Sequence, residues 1–253
     1  MSARATLRES GVSVRQVLGL AHRSDGELAP GLNGLLDEVV FGRIWARPGL
    51  SLHDRMLATL CALTSVQNLP QLEVYTGAAL HVGLEPRLIQ EVMIHCAMYC
   101  GMPSALSSLE VVAGVLSERG ITLPDEALAN ADLDALEQMG QSTMRELHAE
   151  RAEGGYASPD SAAAPLYATA IQFLYGEVWN RPGISRRERM VCSVAAFTAT
   201  RMEAQQRKFF RSALNVGLSS ENVLEVIIQT GPYSGFPPAL NALAVAQEVL
   251  EPN

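Results

Sequence analysis

Apolar residues recur at three- and four-residue spacing along most of the chain, and no segment alternates apolar and polar positions long enough for a strand. The pattern predicts an all-α protein. Residues 1–10 are expected to be loosely packed, and Val12 to His22 reads as a short helix. Pro30 then lies near the first turn of a second helix, whose inward stripe is Leu32, Leu35, Leu36, Val39, Val40 and Ile44 and which ends at Arg47-Pro48-Gly49. Ser51 with Asp54, and Ser185 with Glu188, have the spacing of capping boxes, each opening a helix of about four turns. Between them, Gln71–Val82 stops at Gly83, and Pro86 starts a helix to Cys100. Gly101-Met102-Pro103 interrupts before Ala105–Glu118. Gly120 to Asp125 is the break between two halves. Asp132–Arg151 is predicted to be helical, and Gly154–Ala164 reads as a loop.

The second half repeats the first. F-G-R-I-W-A-R-P-G-L-S from Phe41 returns as Y-G-E-V-W-N-R-P-G-I-S from Tyr175. Trp45 pairs with Trp179, Arg55 with Arg189, Gly83 with Gly217, Tyr99 with Tyr233 and Pro103 with Pro237, always 134 residues apart. A constant offset over that length is a tandem duplication, and it divides the chain into domains at 1–120 and 121–253.

The repeated marks W-x-R-P-G-[LI]-S-x-x-x-R, A-L-x-V-G-L and Y-x-G-x-P-x-A-L resemble the carboxymuconolactone decarboxylase family, which includes the AhpD-like hydroperoxide reductases. The resemblance covers about two thirds of the chain and extends to the lead-in Gly11–His22. It implies two tandem helical domains of that family and pockets formed between helices of adjacent subunits. It also implies assembly in which a tandem chain replaces a dimer, so a homotrimer with pseudo-hexameric arrangement is expected.

Composition narrows the function. A net charge of -8 and only short basic clusters argue against nucleic acid as partner. No apolar run approaches the ~20 residues of a membrane span, and Met1 to Ser10 has no apolar stretch of a secretory signal, so no membrane contact and a cytoplasmic location are expected. Cys61, Cys96, Cys100 and Cys192 lack zinc spacing and read as buried small hydrophobes, so no metal is expected. The single lysine, Lys208, and the absence of glycine-rich phosphate loops leave no sign of pyridoxal, nucleotide or other cofactors.

The AhpD-like pattern places C-x-x-C and a following histidine at Asn68, Gln71 and Tyr75 in one copy and at Met202, Gln205 and Phe209 in the other, which argues against peroxidase chemistry. The decarboxylase branch places histidines at Tyr75 and Phe209, and again at Ser107 and Asn241, so that pattern is incomplete too. The resemblance still implies a cofactor-independent enzyme acting on a small cyclic oxygenated acid or lactone, as a decarboxylase, lyase, isomerase or cyclase. The alternative is a binding or assembly protein that has kept only the fold.

His95 and Tyr99, at i and i+4 beside the core stripe of their helix, are candidates for proton transfer; packed core-edge aromatics are the plain alternative. The second copy has Gln229 and Tyr233 there. Tyr75 is a further catalytic candidate, as a phenol that hydrogen-bonds a substrate carbonyl, or else a core residue. Arg55 and Trp45 are the substrate-binding candidates. Arg55 alternatively pairs with Glu91, and its mate Arg189 with Glu225, while Arg47 and Arg181 are expected to bond helix-end carbonyls. His53 and His81 are expected in solvent, and His22 and His148 show no partner.

Overall fold

A computed structural model describes residues 2–22, 26–125, 130–149, 152 and 161–250. The described residues form twelve helical segments and no strand. In the first copy, α1 (Ala3–Val17) packs on the π-helix Leu36–Trp45, which continues the short α2 (Leu32–Leu35); then follow α3 (Leu52–Ser65), α4 (Leu69–His81), α5 (Pro86–Cys100) and α6 (Met102–Glu118). The second copy repeats the order with α7 (Leu133–His148) and α8 (Ala164–Thr169), the latter extended by the π-helix Ala170–Glu177 and a 3-10 turn at Val178–Asn180. It ends with α9 (Arg186–Ala199), α10 (Glu203–Asn215), α11 (Ser220–Ser234) and α12 (Phe236–Leu250).

Capping follows the sequence in most places. Ser185 and Glu188 form the full capping box, but at Ser51 only half of it exists. The serine oxygen accepts from the Asp54 N–H at 3.0 Å, while the Asp54 carboxylate is taken by Arg187 of the other copy, at 2.8 and 2.9 Å. The N-terminus is helical from Ala3, not loose, because Ser2 caps it and Arg4 ties it to Glu38 at 2.7 Å.

The second helix differs from the regular helical reading. Its i→i+5 winding turns Leu35 and Leu36 outward, to 53% and 38% exposure, and buries Asp37 and Glu38 instead. Gly11 and Gly42 let α1 close on this π-helix: a Cβ at Gly11 would stand 1.8 Å from the Asp37 carbonyl oxygen. Gly140 and Gly176 do the same for α7 in the second copy, where a Cβ on Gly140 would lie 1.9 Å from the Ile171 carbonyl oxygen. The predicted loop Gly154–Ala164 falls largely on residues outside those described.

The copies cross. Helix α3 packs against α9, α11 against α3, and α5 against α9, so one hydrophobic cluster holds residues of both halves, from Met56, Leu60 and Val92 to Val191, Phe197 and Val226. The buried charges follow the crossing. Arg55 pairs with Glu225 at 2.8 Å and gives Nη1 to Gln229 at 3.0 Å; Arg189 pairs with Glu91 at 3.2 Å. The within-copy pairings expected from the sequence are therefore reversed. Arg47 and Arg181 are bidentate to the same two carboxylates, Glu225 and Glu91, and do not cap helix ends. Burial alone would raise Glu225; Arg47 and Arg55 outweigh it and hold the carboxyl below its ordinary value.

Candidate functional site

The crossing builds two quasi-equivalent cavities, each of about 540 Å³ and each walled by both copies. A wider depression of about 750 Å³ runs over α1, but its wall of short polar and charged side chains contains no imidazole or phenol.

At the first cavity, α4 presents Tyr75 and α11 presents Tyr233. The Trp45 indole N–H donates to the Tyr233 oxygen at 2.6 Å, and Tyr233 donates to the Tyr75 oxygen at 2.8 Å. This direction of donation leaves the proton of Tyr75 at the cavity wall. Burial pushes the Tyr75 phenol up to about 12, although the bond from Tyr233 works the other way, and burial drives Tyr233 well above its ordinary value. Both stay protonated at neutral pH, which suits hydrogen-bond or proton donation.

Further lining comes from the lead-in. Asp37, turned inward by the π-helix, accepts from Arg15 Nε at 2.9 Å and holds His22 Nε2 at 3.2 Å. His22 thus has a partner the sequence did not reveal. A carboxylate on Nε2 fixes that nitrogen as the donor and leaves Nδ1 to take or give a proton. Arg15, His22, Asn68 and Gln71 line the cavity with Tyr75 and Tyr233. Asn68 caps α4, its side-chain oxygen accepting from the Gln71 backbone N–H at 3.4 Å.

At the second cavity, Tyr99 of α5 meets α9 and α10. The Trp179 indole N–H donates to Tyr99 at 3.1 Å, and Ser193 Oγ lies 3.4 Å from Tyr99 and 2.9 Å from His95 Nε2. Phe209 stands where the first cavity has Tyr75. Met98, Met144, Met202, Phe197 and Tyr175 complete a mostly apolar wall. His148 lies behind it, bonded to Ser212 at 2.7 Å and Tyr175 at 3.1 Å, so it too has partners.

The sequence candidates are therefore divided between two places. Tyr75 and Trp45 belong to the first cavity, with Trp45 behind the phenols; Tyr99 lines the second. His95 is fully buried and lines neither, separated from the second cavity by Ser193 and Tyr99. Burial first, and Arg189 second, push the His95 imidazole well below its ordinary value, so it is neutral. Arg55 is 1% exposed and fully engaged by Glu225, Gln229 and the carbonyls of Arg47 and Pro48. His53 is not simply solvated either, since its Nε2 meets Glu188 at 2.7 Å, whereas His81 is exposed. Cys61 and Cys96 touch at 3.1 Å inside the core, and burial raises the Cys61 thiol well above its ordinary value.

The chain is thus a duplicated all-helical protein whose copies cross to make paired, phenol-bearing cavities of about 540 Å³. No helix among the described residues is long and apolar enough to cross a membrane. The model of the carboxymuconolactone decarboxylase family matches residues 30–114 and again 164–248, and the chain belongs to that family, as a two-copy member. It is 25% identical to 4-carboxymuconolactone decarboxylase of Acinetobacter baylyi over 119 residues, which are 45% of this chain and 89% of that protein, so one copy here corresponds to nearly a whole relative. It is 31% identical over 84 residues to nitrosuccinic acid decarboxylase npaB of Metarhizium robertsii, covering 33% of this chain and 59% of that protein. A 15.0 kDa protein of Paracoccus denitrificans is 32% identical over 98 residues, 38% of this chain and 73% of its own length. Named relatives of this chain are thus decarboxylases, and family membership is that of a decarboxylase-like enzyme.

Proposed function

We propose that this chain is a cofactor-independent lyase that decarboxylates a small oxygenated carboxylic acid in the first cavity. The observation that carries this reading is that a directed phenol donor, Tyr75, and a carboxylate-held imidazole, His22, line one cavity. The second half offers Phe209 at the place of Tyr75. Two of the relatives are named for acids with an oxygen-rich acceptor group near a carboxylate, a lactone in one and a nitro group in the other. Such a substrate supplies its own electron sink.

In the proposed reaction the carbon–carboxylate bond breaks, carbon dioxide leaves, and the electron pair moves onto the acceptor oxygen. The Tyr75 O–H donates to that oxygen as negative charge develops, a contribution made mainly in the transition state. Tyr233 and Trp45 hold Tyr75 in place by the chain of donations behind it. His22, held through Nε2 by Asp37, presents Nδ1 to the carbon and relays a proton to it from solvent, to which its side chain is 32% exposed. Arg15 keeps the wall positive toward the substrate carboxylate. Arg55 and Trp45 act here as positioning residues. A homotrimer remains the assembly we propose.

The test is carbon dioxide release and loss of substrate absorbance with carboxylated γ-lactones and nitro-substituted dicarboxylic acids, on the wild type, Tyr75→Phe and His22→Gln. Turnover that falls at least a hundredfold in both variants, with their melting temperatures held, supports the reading. Isomerised or cyclised product without carbon dioxide replaces lyase by isomerase at the same groups. Binding without any turnover favours a protein that has kept the fold and lost the chemistry.

A further inference from the structure

The proposed chemistry uses the polar groups of the first cavity and leaves the rest of its lining without a task. Leu32, Leu36 and Val40 stand four residues apart along α2 and the π-helix that continues it, so they form one apolar stripe. It runs roughly 10 Å, at up to about 1.5 Å per residue. Phe41 and Leu63 line the cavity from the core, where both are buried. Leu28, Leu36 and Val74 line it from the surface and remain 74%, 38% and 45% exposed. Large apolar side chains left open around a cavity, with polar groups among them, mark a surface that a ligand covers.

The charged lining sets how much anion the cavity takes. Among the described residues its cations are Arg15 and His22, and both bond the same carboxylate, Asp37, at 2.9 and 3.2 Å. Two bases against one acid leave at most one positive charge over. One substrate carboxylate is balanced there, whereas a second would lie against leucines with no cation to meet it. The volume of about 540 Å³ also falls within the range of sites for drug-sized ligands, about 300–1,000 Å³. A compact acid at the polar groups would leave the stripe bare.

From this we propose that the substrate of the first cavity is an amphipathic monocarboxylic acid. Its carboxylate sits at Arg15 and His22, and its alkyl or alicyclic group lies along Leu32, Leu36 and Val40 with Leu28 and Val74 over it. The inference rests on the reading of this cavity as the substrate site and narrows that reading to one class of acid.

The test is binding of saturated acids that cannot be turned over, so its outcome is independent of catalysis. Butanoate, hexanoate, octanoate and hexanedioate are titrated calorimetrically into the full chain. Affinity is expected to rise about two- to fourfold with each methylene from butanoate to octanoate. Hexanoate should exceed hexanedioate by about tenfold or more. Leu36→Gln and Val74→Gln alter exposed side chains, so the fold is kept, and each should flatten the chain-length gain. Leu166→Gln, at the rim of the second cavity and 75% exposed, should not. No saturable binding of octanoate, equal affinity along the series, tighter binding of hexanedioate, or a gain lost in Leu166→Gln alone overturns the proposal. So does an unaltered gain in both first-cavity variants with a smaller particle on sedimentation, which would make this face a contact between copies. Carbon dioxide release from short dicarboxylic acids with no chain-length gain removes this inference and leaves the lyase standing. A chain-length gain with no turnover of any acid does the reverse.

Discussion

The hydroxyl of Tyr233, in the second copy, lies 2.8 Å from that of Tyr75, in the first, and donates to it. Neither copy alone contains this donor chain, because Trp45 and Tyr75 come from one and Tyr233 from the other. Duplication and crossing together make the site. Tyr75→Phe removes the terminal donor and is expected to lower kcat by about a hundredfold to ten-thousandfold, the range of a general acid. Tyr233→Phe leaves Tyr75 in place but undirected, so its loss should be smaller and should fall on kcat more than on KM. Steady-state kinetics on the two variants checks the order, and a larger loss in Tyr233→Phe would contradict it.

The two copies also provide an internal control for His95. In the first network Gln229 accepts from Arg55 Nη1 at 3.0 Å and donates to Thr59 at 3.1 Å. In the second, His95 stands in its place, and Arg189 Nη1, Arg189 Nε and His95 Nδ1 find no partner among the described residues. His95→Gln copies the satisfied arrangement and is expected to stabilise the chain by about 1 kcal/mol, a typical net hydrogen bond. A rise in melting temperature of a few degrees checks it.

The same histidine sets a pH dependence. Its folded pKa is depressed, so the unfolded chain binds the proton first. Stability is full above the unfolded value of about 6.5 and falls as pH drops through it, by up to about 1.4 kcal/mol per unit. His53, raised by its hydrogen bond to Glu188, has the opposite sign, but it is a half-exposed surface pair and contributes little. Denaturant midpoints measured between pH 7.5 and 5.5 are expected to decline in the wild type and to decline less in His95→Gln.

Glu91 receives both Arg181 and the fully buried Arg189, across the boundary between copies. Removing it leaves a buried cation without its counterion. Glu91→Ala is expected to cost about 3–5 kcal/mol, and because α5 and α9 pack through this pair, cavity two should lose its order before cavity one. Chemical denaturation with each tryptophan in turn replaced by phenylalanine distinguishes the two, since Trp179 touches the second network and Trp45 the first.

The helical class and the duplication were legible because period and offset are properties of the chain itself. Capping serines, the Gly101 break and most helix bounds were legible for the same reason. The site was not, because residues 134 apart give identical local patterns whether their helices pair within a copy or across. His95 and Tyr75 therefore looked like members of one site, while the crossing of α5 on α9 and α11 on α3 assigns them to different networks. Asp37 and His22 were hidden by a second cause. A regular helical reading turns Leu35 and Leu36 inward, and only the π winding brings the carboxylate to Arg15 and His22. The signal available was chemical: two acids, Asp37 and Glu38, within an apolar stripe, with a histidine and an arginine in the preceding helix and its exit.

That winding depends on a close approach which one methyl group tests. At Gly11 an added Cβ would stand 1.8 Å from the Asp37 carbonyl oxygen and 2.7 Å from its carbon, both backbone atoms that cannot swing aside. Gly11→Ala must therefore push α1 away from the π-helix, at a cost of about 1–3 kcal/mol by the measure of overpacked cores. The displacement carries Arg15 and the chain toward His22 away from Asp37, while α3, α4 and α11, which hold Tyr75 and Tyr233, are untouched. The variant should thus melt a few degrees lower, expose α1 to proteolysis and lose turnover at the first cavity. Turnover equal to wild type in a chain whose α1 is cleaved faster would show that the His22–Asp37 wall is not needed for the chemistry.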